Sequence, residues 1–295
     1  MNWNDIRYFL AVARSGRLTR AGSMLGVDHA TVSRRIASLE AEIGAKLFDR
    51  SPKGYSLTGA GSDLVPVAKM MESNAIKFEA TIGTSGEKLS GPVRIGVPEG
   101  VAAYIVSRAA SDLCKKYPLL EIQLIALPRK FSLSNREADF VISVSRPKTG
   151  RLKVQKICDY SLHLYGLRSF VEEKGPFTSV ADLHRVMGIG YVPELIFDKE
   201  LDYIPLVDPN FRPRLSSTSV HVQLEAVLQG AGVGIVHDFM ARRYDDLVQI
   251  LPQEISFNRS FWGIVHEDYA DLERIKVCST AIIECMRNEL KLTPS

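Results

Sequence analysis

Cysteine is scarce in this 295-residue sequence, and Cys114, Cys158, Cys278 and Cys285 lie far apart in no metal-ligand spacing. That excludes a disulfide framework, and a reducing cytosol would keep all four as thiols. His163, His184, His221, His237 and His266 are equally dispersed, and HExxH, CxxC and GxSxG are all missing. No catalytic residue, metal or cofactor is therefore expected, although an active site assembled only in space would leave no such spacing. No apolar run approaches the roughly 18 residues of a membrane span, and charges interrupt the apolar part of the first twenty residues, unlike a secretion signal. The expectation is a cytoplasmic protein with no membrane partner, and an exported solute receptor is disfavoured for the same reason.

What is present is a foldable composition, 45% hydrophobic and 24% charged, long enough for two or three domains. The formal charge of +3 is unevenly placed: residues 1–60 hold nine Lys/Arg against five acids, leaving 28 against 29 elsewhere. A basic module on a nearly neutral body points to a polyanionic partner.

Within that module Ile6, Phe9, Leu10 and Ala13 keep helical spacing up to Ser15-Gly16. A second helix is expected from Thr19, as N-cap, to Leu25; Gly26 suits a positive-φ turn, and Asp28 can cap a third helix with Val32, Ile36 and Leu39 inward. Helix, short turn and helix make a helix-turn-helix, whose second member enters the major groove. His29, Ser33, Arg34 and Arg35 would face DNA, or else form a solvated helix face. Next, "GAKLFDRSPKGYSLT" reads as a two-stranded wing with Arg50 and Lys53 near its tip.

Taken together, "FLAVARSGRLTRAGSMLGVDHATVSRRIASLEAEIGAKLFDRSPKGYSLTGAG" resembles the winged helix-turn-helix of LysR-type transcriptional regulators, above all in "VSRRIASLE", "LFDR" and "LTGAG". The resemblance implies sequence-specific, effector-modulated regulation of transcription, with Thr19, Arg20, His29, Thr31, Ser33, Arg34, Arg35, Arg50 and Lys53 as the DNA-binding set. Asp28-His29-Ala30 stands where many members have serine, glutamine and proline, so the half-site sequence is open. The domains expected are 1–60 for DNA, 58–86 for a linker helix, 87–92 for a hinge and 93–295 for the effector.

From Thr58, Leu64, Ala68, Met71, Ala75, Phe78 and Ile82 form a heptad seam, interrupted by Pro66, which is expected to kink the helix. Spacing alone allows the seam to dock on its own domain or on a second copy. The resemblance favours dimerisation through it, as a homodimer or a tetramer, so that two recognition helices read an inverted-repeat operator in double-stranded DNA. RNA polymerase is a further partner the resemblance admits.

Beyond the Gly/Ser-rich stretch at 82–92, strand-like runs ("VRIGV", "LEIQLIA", "DFVISV", "LHLYGL", "MGIGY", "VGIV") alternate with helical ones at 100–117, before "DFVISV", at 219–229 and after Asp271. Alternation predicts parallel sheets covered by helices, an α/β fold. The resemblance extends here through "VRIGV" and "GAGVGIV", and implies a two-lobed body like a periplasmic binding protein. Lobe I would be about 93–160 and 268–295, and lobe II about 161–267. "GAGVGI" is not read as a dinucleotide fingerprint, because the helix precedes it and the strand follows.

Ligands of such folds sit at strand ends and helix N-termini. The small-molecule effector is accordingly expected at Glu99, Gly100, Val101, Ser145, Tyr191, Thr218, Ser219 and His237. Each has a plainer reading: Ser219 as an N-cap, Glu99 as compensation of a helix dipole, His237 as a surface residue. A charged Glu99 would favour a neutral or cationic effector unless Arg146 or His237 neutralises it.

Overall fold

The computed structural model describes residues 3–52, 54–81, 89–126 and 137–291, which fall into two compact units, Met1–Gly83 and Thr84–Ser295. Lys53 and Ile82, and most of the segment read as a short helix before "DFVISV", lie outside the described residues.

The first unit follows its apolar spacing closely. Helices α1 (Trp3–Ser15), α2 (Leu18–Leu25) and α3 (His29–Ile43) precede strands β1 (Phe48–Ser51) and β2 (Gly54–Leu57) and helix α4 (Gly59–Thr81). Ile6, Phe9 and Leu10 meet Val32, Ile36 and Leu39 in one buried core, closed by Leu47 and Phe48 from the start of the wing. Gly26 adopts φ 70°, the left-handed turn expected of it, and Asp28 caps α3 by accepting from the Thr31 amide at 2.7 Å. Thr19 is not a cap: α2 begins at Leu18, and the extended residue before it is Arg17. At the other end of α3 the buried carboxylate of Glu40 accepts from the Leu47 amide at 2.9 Å and pairs with Lys46 Nζ at 2.7 Å, fixing the wing to the helix.

Helix α4 runs unbroken through Pro66. Ala68 is fully buried in the core of its own unit, with Leu64 and Met71 packed beside it. Arg14 of α1 forms a bidentate pair with Glu72, both largely buried. The first half of the expected seam is thus closed off within one chain, because α1 leaves an apolar groove that α4 fills. Among the described side chains of α4 the exposed large apolar ones are Val67 and Met70, outside the expected seam, and Phe78, a member of it.

The second unit comprises β3 (Ser90–Gly96), α5 (Glu99–Val101), α6 (Ser107–Lys116), β4 (Leu119–Ile125), β5 (Phe140–Ser143), β6 (Leu152–Leu167) and α7 (Arg168–Lys174). It continues with β7 (Gly188–Gly190), α8 (Ile204–Val207), β8 (Pro213–Ser216), α9 (Val220–Leu228), β9 (Val233–His237), α10 (Asp238–Ala241), β10 (Leu247–Gln249), β11 (Ser256–His266) and α11 (Glu273–Lys291). A wider turn at Ala102–Val106 joins α5 to α6. Residues 90–92, assigned to a hinge from sequence, already belong to β3, where Ser90–Pro92 pair with Leu119–Glu121.

These strands make one nine-stranded sheet in the order β4-β3-β5-β11-β6-β9-β7-β8, with β10 added on β6. Pairing is parallel in each half, among β3, β4 and β5 and among β7, β8 and β9, as alternation predicts. The halves are joined by the long antiparallel pair β6 and β11, most of which the sequence reading missed. Residues 262–265 of β11 pair with β5, so the first half takes in chain that the sequence reading gave to lobe II. The alternation rule sees local strand-helix-strand units, whereas β6 and β11 pair antiparallel although residues 168–255 separate them in the chain.

Candidate DNA interface and effector cleft

The cap at Asp28 and the αL turn at Gly26 hold the N-terminal face of α3 clear of the core, where His29, Ala30 and Arg34 are exposed and Thr31 and Ser33 half-buried. Hydrogen bonds from the backbone and then the hydroxyl of Thr31 lower the pKa of Asp28, so the cap stays ionised at neutral pH. Thr31 therefore spends its hydroxyl proton at 3.1 Å on that carboxylate. Thr19 and Arg20 are exposed on α2, and Arg50, exposed on β1, lies over the Tyr55 ring at 5.6 Å.

Arg35 departs from the expected set. Its guanidinium reaches buried Asp5 of α1 at 3.4 Å and lies 6.0 Å from the Tyr8 ring centre, so it braces α3 on α1. Adjacent helical positions differ by about 100°, which separates Arg34 outward from Arg35 inward. Arg17 was missed by sequence reading: it is exposed at the start of α2, beside the wing, where the Tyr55 amide donates to the Gly16 carbonyl at 2.8 Å. A lone basic residue in a turn carries no signal of such a neighbour.

In the second unit, Glu99, Gly100, Val101, Tyr191, Thr218, Ser219 and His237 line one cavity of about 130 Å³. They come from the ends of β3, β7 and β9 and the approach to α9, which the sheet order brings together. Ser145 is not among its lining residues and donates its hydroxyl to Asp198 at 2.6 Å. Further apolar residues of the wall, Val144, Phe197, Leu201 and Val220 among them, were missed, since apolar residues look the same in a core and in a pocket.

The Glu99 carboxylate spans the cleft. Oε1 accepts from Ser219 Oγ at 2.9 Å, Oε2 accepts from the Val220 amide at 2.9 Å, and His221 Nδ1 stands 3.5 Å away. It thereby satisfies the N-terminus of α9, assisted by Ser219, whose Oγ also accepts from the Val222 amide. The plainer readings of Glu99 and Ser219 both hold. Neither expected neutralising partner serves: Arg146 sits 5.5 Å over the Trp262 ring. His237 is buried, not a surface residue; it stacks on Tyr160, and burial lowers its pKa to about 4, which keeps it neutral. Gly100 permits the close approach, because a Cβ there would lie 2.9 Å from Met240 Sδ and 3.3 Å from Val220 Cγ2.

Among the described residues no group of three or more His, Cys, Asp or Glu could hold a metal ion, and no helix is long and apolar enough to cross a membrane. Burial pushes the thiols of Cys158 and Cys278 up to about 11 and about 12, which leaves them unreactive at neutral pH.

A capped recognition helix with a wing, and an α/β body with a cleft, define a DNA-binding regulator with a ligand-binding domain. The model of bacterial regulatory helix-turn-helix proteins of the lysR family matches residues 3–62, and that of the LysR substrate binding domain matches residues 86–286. The chain belongs to the LysR family of transcriptional regulators. It is 24% identical to the regulator PtxR of Pseudomonas aeruginosa, with 100% of this chain and 95% of PtxR covered. Its fold is that of full-length AphB, a virulence activator of Vibrio cholerae, at 21% identity and TM-score 0.61, covering 96% of this chain and 99% of that one. It is also that of full-length LysG from Corynebacterium glutamicum with its effector Arg bound, at 18% identity and TM-score 0.60, covering 96% and 99%.

Proposed function

We propose that the chain binds an inverted-repeat operator as a homo-oligomer through His29, Ser33 and Arg34 of α3, with Arg17, Arg20 and Arg50 on the flanking phosphates. The observation that carries this reading is the capped, outward N-terminal face of α3 on a rigid core, where bidentate donors can meet base edges. Lys53 completes the wing contacts. The chain works in the cytoplasm without a catalytic step, and RNA polymerase is the machinery on which its binding acts. A small molecule held between Glu99, Tyr191, Ser219 and His237 biases one oligomer arrangement over another.

Oligomerisation is assigned to the exposed face of α4. Val67 and Met70 lie beside the buried Leu64, Ala68 and Met71 on the helix surface, and Phe78 continues that same seam into the second half of α4, where it is exposed. Symmetric pairing of such helices would cover apolar surface that one chain leaves in water.

Selection of bound fragments from random duplex DNA by the full-length protein, at a stated salt concentration, tests the reading. The expected result is an enriched inverted repeat with half-sites one or more helical turns apart. Recovery of no preferred sequence by well-folded protein would overturn it.

A further inference from the structure

Next to the cleft, on the part of the sheet formed by β7, β8 and β9, lies a larger cavity of about 330 Å³, and Tyr191 and Leu201 line both. Its walls are chiefly apolar, with Ile189, Ile196, Ile204 and Ile235 among them. The charged residues on its lining, Asp202 and Arg212, are exposed, and the Arg212 guanidinium already donates to the carbonyls of Pro209 and Phe211. Gln223 is buried and its Nε2 donates to the Ser217 carbonyl at 2.8 Å, which fixes the amide and leaves Oε1 as an acceptor.

Two observations then bear on what can bind. A dry cavity of about 150 Å³ accommodates benzene, so one of this size suits two rings, and the volume falls in the range of ligand pockets. In the adjoining cleft, the group that would best receive a ligand carboxylate, the N-terminus of α9, is already occupied by Glu99 through the Val220 amide and the Ser219 hydroxyl. A second carboxylate there would lose those donors and meet a fixed negative charge.

We propose that the effector held at the cleft extends past Tyr191 and Leu201 into this cavity, and that it is an uncharged, two-ring apolar molecule with one hydrogen-bond donor for Gln223. The proposal rests on the reading of the chain as an effector-controlled regulator, whose effector class it names.

The test is calorimetric titration of the full-length protein at neutral pH with 2-naphthol and, separately, 2-naphthoate, which share a ring system and differ in charge. Expected are saturable binding of 2-naphthol at one per chain and at least tenfold weaker binding of naphthoate. Ile196→Trp should abolish naphthol binding, and Ile204→Phe serves as a second filling variant if the first fails to melt like the wild type. Glu99→Ser, by freeing the α9 amides, should strengthen naphthoate binding at least tenfold. Naphthoate binding as tight as naphthol, no binding of naphthol, or filled variants that fold and still bind it would each overturn the proposal. Failure of the regulator reading looks different: no DNA sequence would be selected while the naphthol pattern held, and that outcome supports the ligand class assigned here.

Discussion

Arg34 and Arg35 are neighbours of identical chemistry, and the fold gives them opposite duties. Arg34→Ala should cost roughly 1–3 kcal/mol of operator affinity and relax preference at one base pair if it reads guanine, whereas a phosphate role predicts uniform weakening and a shallower salt slope. Arg35→Ala should instead lower the melting temperature of the first unit, because it leaves the buried Asp5 carboxylate without its cation. Competition binding across operator variants, with melting curves of both proteins, separates the two roles. A second pair of residues sets the acid limit of stability. Burial works against ionisation of Glu40, but hydrogen bonds from Lys46 and the amides of Leu47 and Phe48 outweigh it and hold its pKa below 4.5. Its contribution is therefore complete above pH 4.5 and is lost as pH falls through the depressed value. His237 acts earlier: the unfolded side chain takes up a proton near 6.5 while the folded one resists to about 4, so stability falls with pH across that window, by about 3 kcal/mol at most. Chemical unfolding from pH 7 to 4 should show this slope, and His237→Phe should flatten it. The cap Asp28 and the candidate cleft residues Glu99 and Ser219 were legible in sequence because caps and strand ends use a small set of residue types at fixed offsets, whereas Arg17 and the place of Ser145 were not. Arg35 was not, since nothing in its own helix reveals Asp5 thirty positions away.

At the scale of elements, periodicity was informative where an apolar stripe has one surrounding and indecisive where it has two. Helices α1 and α3 have a single apolar stripe each, and the core uses it. On helix α4 one heptad seam serves two surroundings: Leu64, Ala68 and Met71 pack within their own unit, while Phe78 of the same seam is exposed, as are Val67 and Met70 outside it. Phe78→Asp is therefore expected to dissociate the oligomer while leaving the unit folded, and Ala68→Asp to unfold it by burying an unpaired charge. Light scattering and melting curves of the two variants provide the check; an intact oligomer for Phe78→Asp would remove α4's exposed surface from the interface. Strands β6 and β11 were hidden for a related reason. Residues 152–155 of β6 alternate apolar and polar, but Lys156 breaks the pattern and every polar position is charged or amide-bearing and exposed, so the run reads as surface chain until β11 is laid beside it.

At the scale of the molecule, the excess positive charge resides in the DNA-binding unit and both cavities in the other, so regulation requires a coupling free energy between separate sites. Such coupling is reciprocal: a ligand that changes operator affinity by some factor must have its own affinity changed by the same factor when operator is bound. A ligand that binds every oligomer arrangement equally shifts nothing, however tightly it is held, and a full swing from 1:99 to 99:1 needs about 5.5 kcal/mol of preference. Glu99 makes the cost of that preference visible, because it ties the chain after β3 to the N-terminus of α9 without any ligand carboxylate. A cleft already bridged in this way should respond to filling of the cavity beside it by a modest amount, in the common range of 5- to 150-fold. Titrating 2-naphthol into the protein with and without a saturating operator duplex, and the operator into the protein with and without 2-naphthol, gives the factor twice. Equal factors different from one would establish that the cavity and the α3 face share one equilibrium. A factor of one in both directions would mean that the cavity binds its ligand without reporting it to DNA, and the control of transcription would then have to enter through the Glu99 bridge itself.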